Sequence, residues 1–258
     1  MSINWMPLCD ELAIWKAEGM SLPFWWRDDD ATSSTTALEQ LLQLSDDTQV
    51  PIHLAVIPQK AQVDLAERLE KHKNSIALIH GWARQNLAPY GQKKCEFGAE
   101  RDLDERCLDA KDAIQRIQLL FPKRFSPIFV PPWNRVGADL IPLLPKLGYK
   151  AVSTFKPRVS ALAADGLVQI NTHLDPIDWR GTRSLVDPEQ LVTQMVNDLK
   201  NRRNDESDNA EPYGFLTHHL VHDAAIWDFA KALLYCLAES PAVYWRADKQ
   251  QDIGDQLT

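Results

Sequence analysis

Short, unbroken runs of apolar residues recur along the whole of this chain, and helical patterns separate most of them. Within these runs apolar positions do not alternate with polar ones. This is typical of strands covered on both faces, as in a parallel sheet. The predicted strands lie at residues 22–26, 51–58, 75–80, 126–132, 150–154, 166–171, 213–218 and 241–245.

Helical periodicity fills most of the gaps between these strands. The predicted helices lie at residues 35–46, 61–73, 100–121, 137–148, 187–203 and 222–239. No glycine-, serine- or proline-rich linker interrupts the alternation, so we expect one α/β domain over residues 1–258, a (β/α) barrel or a close relative. A doubly wound open sheet is the alternative, but it would more often carry a glycine-rich turn after the first strand, and RDDDATS (27–33) contains no glycine.

The net charge and the apolar segments indicate which partners and which cellular compartment to expect. The net charge is −8 and no stretch is basic, which argues against nucleic acid as a partner. No apolar segment approaches the ~18 residues of a membrane span. The start has no signal-peptide pattern, and the four cysteines lack C-x-x-C spacing, so we expect a cytoplasmic protein with reduced thiols. The polar tail 249–258 is predicted to be frayed. The pattern does not indicate an oligomeric state.

Polar side chains gather where the predicted strands end. Taken singly, each such cluster is more often a helix cap, a turn or a structural hydrogen-bonder. The carboxyl ends of barrel strands all face one mouth, however, so clusters distant in sequence would meet there. His53 and His72 do not fit this distribution, and we interpret them as structural or exposed. The clusters are Asp28–Asp30, His80, Pro131–Asn134, residues 171–181 and residues 216–223.

Carboxylates together with neutral imidazoles suggest a site for zinc, manganese or iron. One aspartate would bind the ion, and its neighbour would act as general base on a metal-bound water. A histidine on the opposite rim would protonate the leaving group. This arrangement suits hydrolysis of an amide or an ester, and a cation would explain how three adjacent carboxylates tolerate one another.

The motifs WWRDDDA, HGW, VPPWNR and THHLVHD, in this order over roughly residues 20–230, resemble those of the polysaccharide deacetylase superfamily, the NodB-homology fold. The resemblance implies a distorted (β/α) barrel with about seven parallel strands. It also implies metal-dependent removal of acetyl groups from carbohydrate, with zinc as the first candidate metal.

The resemblance also implies roles for individual residues. Asp29 corresponds to the general base, Asp30 and His80 to metal ligands, and His218 to the acid. Asp28 and Asp29 are the alternative register for the aspartate pair. The remaining candidate positions are expected to bind substrate or to support the site: Trp82, Arg84, Asn86, Pro132, Trp133, Asn134, Asp175, Trp179, His219 and His222.

Two positions depart from the family pattern. Arg84 stands where the second histidine of H-x-x-x-H is expected, and Val130 stands where the groove motif usually has an arginine. Either Asn86, His222 or His219 completes the metal site, or metal binding is weak or absent. In the last case the Arg84 guanidinium would neutralise the aspartates itself.

Two functions therefore remain open. The first is a metal-dependent hydrolase that removes an acetyl or similar acyl group from a carbohydrate or a related small molecule, such as a sugar-nucleotide or glycolipid precursor. The second is a catalytically impaired barrel that binds carbohydrate or a protein partner, with Arg84 in place of a metal ligand.

Overall fold

The apolar runs form the strands of one curled sheet in a computed structural model, which describes residues 3–248. All eight predicted strands are present. The strands are β1 (Leu22–Ala31), β2 (Ile52–Val56), β3 (Ser75–His80), β4 (Phe125–Val130), β5 (Ala151–Val152), β6 (Leu162–Ala164), β7 (Leu167–Gln169), β8 (Tyr213–Thr217) and β9 (Ala242–Tyr244).

The strand order is β6-β7-β5-β4-β3-β2-β1-β8, and β9 pairs with the first half of β1. Every pair is parallel except β6 with β7, which is antiparallel. The predicted α/β class and parallel sheet are confirmed. Within the described range the strand order ends at β6 and β8, so the sheet is a half-barrel rather than a closed cylinder. The short strand β6 was not predicted.

Six helices pack against this sheet in the described part of the chain: α1 (Met6–Ala17), α2 (Thr36–Thr48), α3 (Val63–Glu70), α4 (Leu103–Leu120), α5 (Pro188–Arg203) and α6 (Ala224–Ala238). Five match predicted helices. The Asp187 side chain caps α5 as expected, by accepting a hydrogen bond from the amide of Glu189. Helix α1 was not predicted. It is apolar on more than one face, with Ile14 exposed and Leu12 buried, so its periodicity is indistinct.

The segment predicted as a helix over residues 137–148 is instead 3-10 helix over Ile141–Leu147. Proline lacks the amide hydrogen that an α-helix interior needs, and Pro145 lies inside this segment. Gly148 ends it with a left-handed φ of 101°, as expected from its place in the sequence.

The alternation of side chains along β1 decides toward which face of the sheet Arg27, Asp28 and Asp29 point. Successive strand residues face opposite sides of a sheet. Trp26 belongs to the larger core cluster, whereas Trp25 packs in a smaller one with Ile76 and Trp245. Arg27 and Asp29 therefore continue the face of Trp25, and Asp28 continues the face of Trp26.

The polar tail 249–258 lies outside the described residues. No helix within residues 3–248 combines the length and apolar character needed to cross a bilayer. All four cysteines are free thiols.

His53 on β2 is a fully buried structural histidine. Its Nδ1 lies 3.0 Å from the carbonyl oxygen of Trp26, and its Nε2 accepts a hydrogen bond from the amide of Ala247 at 3.2 Å. A carbonyl only accepts, so the hydrogen is on Nδ1 and the ring is neutral. Burial lowers the pKa of His53 from 6.5 to about 4.

We predict that His53 makes the protein sensitive to mild acid. Its lowered pKa contributes stability that is complete above pH 6.5 and is lost as the pH falls toward about 4. The loss amounts to up to about 3 kcal/mol. His53→Gln cannot titrate, so its free energy of unfolding should fall less between these pH values. Equal acid dependence in wild type and variant, measured by urea unfolding, would contradict this role.

Candidate active site

The three aspartates at the end of β1 are held by three different sets of partners. Asp28 and Asp29 are buried, and Asp30 is partly exposed. Adjacent carboxylates repel one another strongly at low dielectric, so each needs its own compensation. Positively charged or protonatable side chains from three regions of the chain provide it.

Asp28 is paired with His219, just after β8. Its Oδ1 lies 2.5 Å from Nδ1 of His219, and its Oδ2 accepts hydrogen bonds from the Thr217 hydroxyl at 2.6 Å and the His219 amide at 2.9 Å. Burial alone would raise the pKa of Asp28, but His219 outweighs it and the pKa is lowered. Burial alone would lower the pKa of His219, but Asp28 outweighs it and the pKa is raised. Asp28 thus has a buried partner of its own, and the assignment of Asp29 and Asp30 as the functional pair stays a prediction.

Asp29 is held by Arg27, two residues earlier on the same face of β1. The Arg27 Nε and Nη2 atoms lie 2.9 and 3.1 Å from the two carboxylate oxygens. The buried guanidinium also donates to the Ser153 hydroxyl at 2.7 Å and to Oδ1 of Asn134 at 2.9 Å. These contacts fix the carboxylate against the fourth and fifth strands of the sheet. Val130 stands where the groove motif usually has an arginine and has no guanidinium. Arg27 provides one at the same end of the sheet.

Asp30 lies at an irregularity in the pairing of β1 with β2 and has a left-handed φ of 81°. Its Oδ1 is 3.1 Å from Nε2 of His80 and is contacted by Nε of Arg84. Burial would raise the pKa of Asp30, but the hydrogen bond and charge of His80, with further contributions from His218 and Arg84, lower it to about 2. The backbone irregularity turns this carboxylate toward the loop after β3.

Glu96 holds the loop that carries Arg84. Its buried carboxylate accepts hydrogen bonds from the amides of Trp82, Ala83 and Gln85, at 3.2, 2.8 and 3.3 Å. The loop leaves β3 through Gly81, whose φ is 56° and where a Cβ would lie 2.5 Å from a Pro132 side-chain atom. Only glycine fits there without movement of the neighbouring turn.

His218, on the opposite rim, faces Asp29. Its Nε2 lies 4.0 Å from Asp29 Oδ2. The edge of Trp179 packs against the His218 ring at 4.7 Å, and the indole donates to Asp175 Oδ2 at 2.7 Å. Burial raises the pKa of Asp175. Together these contacts position the His218 ring across the cleft from the general-base candidate.

The donor set at Asp30 and His80 does not fit a resident divalent metal. His80 Nδ1 lies 3.1 Å from the Val130 carbonyl, which only accepts, so Nε2 could act as a ligand. The third position, however, is taken by Arg84, which has no lone pair to donate and carries a positive charge. Within residues 3–248 no three histidine, cysteine, aspartate or glutamate side chains are grouped to hold a metal ion.

The residues considered as replacement ligands have other partners. Asn86 Oδ1 accepts from the amides of Ala88 and Cys95, and His219 Nδ1 is bound to Asp28. His222 Nε2 accepts from the His218 amide at 3.2 Å, and burial lowers the pKa of His222 to about 4. None of the three joins Asp30 and His80.

The remaining predicted residues fall into two groups. Trp133 and Asn134 lie at the cleft, where Trp133 stacks with the Arg84 guanidinium at 5.6 Å and Asn134 binds Arg27. Pro132 packs beside Gly81, and Trp82 packs against the core. Sequence reasoning assigned no role to Arg27 or Glu96. The only available signal for Arg27 was its place between the apolar run 22–26 and the three aspartates, and Glu96 lies in a polar segment that carries no such signal.

We predict that replacing any of the three aspartates by asparagine destabilises the fold. Asp29 neutralises the buried Arg27 guanidinium, Asp30 contacts the Arg84 guanidinium, and Asp28 is bound to the Thr217 hydroxyl and to the amide and ring of His219. Breaking a buried pair costs about 3–5 kcal/mol, which we expect for Asp28→Asn and Asp29→Asn, and less for the partly exposed Asp30→Asn. The exposed Asp165→Asn is the control. If urea unfolding showed that any of the three variants is more stable than wild type, the repulsion between the carboxylates would not be relieved in the folded protein.

We predict that Glu96→Gln loosens the loop around Arg84. The amide nitrogen of glutamine would face the Trp82 amide, so two donors would meet where an acceptor is needed. An unsatisfied buried group costs about 1–3 kcal/mol. The exposed neighbour Glu100→Gln should be neutral. Hydrogen exchange of the amides at positions 82, 83 and 85 should quicken in the first variant, and unchanged exchange would contradict this role.

Solved structures share this fold over most of the chain. A family 4 carbohydrate esterase from Streptomyces lividans, in complex with acetate, is 12% identical over 88% of this chain and 92% of that chain, with a TM-score of 0.52. The peptidoglycan deacetylase PdaC from Bacillus subtilis is 13% identical over 87% of each chain, with a TM-score of 0.53.

A third structure is a mutant of a carbohydrate esterase family 4 pseudoenzyme with restored enzymatic activity. It is 12% identical over 87% of this chain and 65% of that chain, with a TM-score of 0.53. No protein-family model and no curated protein matches the sequence. The structural likeness nevertheless agrees with the resemblance seen in the motifs. The chain has the polysaccharide deacetylase fold.

Proposed function

We propose that this protein is a hydrolase that removes an acetyl or similar acyl group from a carbohydrate or a related small molecule. The observation that carries the proposal is the approach of His218 to Asp29, with 4.0 Å between Nε2 and Oδ2. A carboxylate and an imidazole on either side of a reacting carbonyl can take a proton from water and give one to the leaving group. The fold, shared with deacetylases and an esterase, supports the same reaction class.

In this mechanism Asp29 accepts the proton of the attacking water. Arg27 holds the Asp29 carboxylate through two contacts and is itself buried, so the base is positioned before substrate binds. His218, held by Trp179, protonates the departing amine or alcohol. A divalent metal, with zinc as the first candidate, would polarise the acyl oxygen if bound, but the contact of Arg84 with Asp30 leaves it no complete ligand set. No step of the mechanism requires it.

The contact of Arg84 with Asp30 also favours a second candidate function. If Arg84 blocks the cation position without replacing its chemistry, the chain is a catalytically impaired barrel that binds carbohydrate or a protein partner. The pseudoenzyme among the structural neighbours is a precedent for such a loss within this fold. Acetate release distinguishes the two functions, because only the hydrolase produces it.

We predict that wild type releases acetate from at least one member of a panel comprising N-acetylglucosamine, its 1-phosphate and acetylated xylo-oligosaccharides. Asp29→Asn and His218→Gln should each lower kcat by roughly 10²–10⁴-fold, since each removes a proton-transfer group. Asp165→Asn should retain full activity. Acetate release is followed by a coupled assay, with circular dichroism to verify folding. The hydrolase assignment fails if wild type releases no acetate from the panel.

A further inference from the structure

Arg84 has hydrogen-bond donors to spare at the cleft. Its Nε is used by the contact with Asp30, and its guanidinium carbon lies 5.6 Å from the centre of the Trp133 ring. The side chain is 31% exposed. Its two terminal nitrogens make no hydrogen bond with any residue between positions 3 and 248, and its approach to Asp30 is through Nε. They therefore form a fork of donors that only solvent or a ligand can satisfy.

This guanidinium is also held in place. The backbone of Arg84 has a left-handed φ of 53°, and the amides on both sides of it, at Ala83 and Gln85, are bound to the Glu96 carboxylate. Trp133 restrains the side chain from one side and Asp30 from another. An arginine on an exposed loop would ordinarily sample many rotamers, so this arrangement is preorganised for contact with a ligand.

We propose that Arg84 does the work of a metal ion in this cleft: it neutralises Asp30 and binds the acyl oxygen of the substrate through its terminal nitrogens. This assignment rests on the proposed hydrolase function and deepens it. A fork of N–H groups matches an oxygen that gains negative charge, and donors that are preorganised stabilise such charge strongly in a site shielded from water. Hydrolysis then needs no metal.

The bond changes balance without a metal. Water loses a proton to Asp29 while its oxygen bonds to the acyl carbon, and the carbonyl electron pair moves onto the oxygen that Arg84 binds. When that pair returns, the bond from the acyl carbon to nitrogen or oxygen breaks, and the leaving group takes a proton from protonated His218. The products are the carboxylic acid and the amine or alcohol. The proton on Asp29 passes to solvent, and His218 regains one from solvent.

The test compares wild type with Arg84→Gln, Arg84→Lys and Arg84→His, with the exposed Arg180→Gln as the matched control. Acetate release is measured before and after dialysis against a chelator. Sodium acetate, the carboxylate product, is titrated in NMR line-broadening experiments, because its binding to the fork does not depend on turnover. Zinc content per chain is measured in parallel by elemental analysis.

We expect chelator-resistant acetate release by wild type and an Arg84→Gln variant reduced by roughly 10²–10³-fold in kcat. Arg84→Lys keeps one charged donor but loses the fork, so it should recover part of the activity. Acetate affinity should fall at least about tenfold in Arg84→Gln, the loss of one charge-assisted contact. Arg84→His should gain about one zinc per chain, because it completes three ligands with Asp30 and His80.

The outcomes separate this assignment from the hydrolase proposal. If wild type loses activity to the chelator and recovers it with zinc, the Arg84 assignment is wrong and the hydrolase stands. If wild type binds acetate through Arg84 but releases none from any substrate, the hydrolase fails and Arg84 remains an oxygen-binding group. If Arg84→Gln matches Arg180→Gln in both assays, Arg84 binds no acyl oxygen.

Discussion

Three adjacent carboxylates at the end of a buried central strand are the constraint on which the site depends. Their repulsion in a low-dielectric interior would oppose folding unless each had a separate partner. The structure distributes them by strand alternation and one backbone irregularity: Asp28 to His219, Asp29 to Arg27, and Asp30 to His80 and Arg84. This division places chemically identical side chains in three different electrostatic surroundings.

The same division connects the fold to the proposed chemistry. Asp28 and His219 join β1 to the segment after its neighbour β8, which also carries His218. Arg27 reaches from β1 to Ser153 and Asn134, on the other side of the sheet's centre. With those two contacts in place, Asp29 and His218 face each other, with 4.0 Å between Oδ2 and Nε2. The catalytic proposal therefore rests on structural pairs that do no chemistry themselves.

Arg84 illustrates why a motif alone does not decide function. The motif HGWAR shows that a family histidine is missing, but several residues could have filled the gap. The structure gives Asn86, His219 and His222 other hydrogen-bond partners and brings the Arg84 guanidinium onto Asp30. A cation is thus present at this carboxylate, but it is the guanidinium of a side chain rather than a bound ion.

The sequence by itself determined two features. Unbroken apolar runs can be satisfied only by burial on both faces, which indicates a parallel sheet. Parallel strands end at one edge, which indicates that the motifs meet there. The sequence could not determine the register of the aspartates, the partner of Arg27 or the role of Glu96. It also missed α1, whose apolar residues lie on more than one face, and the short antiparallel β6. Those features depend on contacts between residues far apart in the sequence, such as Asp28 and His219, which are separated by 191 positions, and only the tertiary structure decides them.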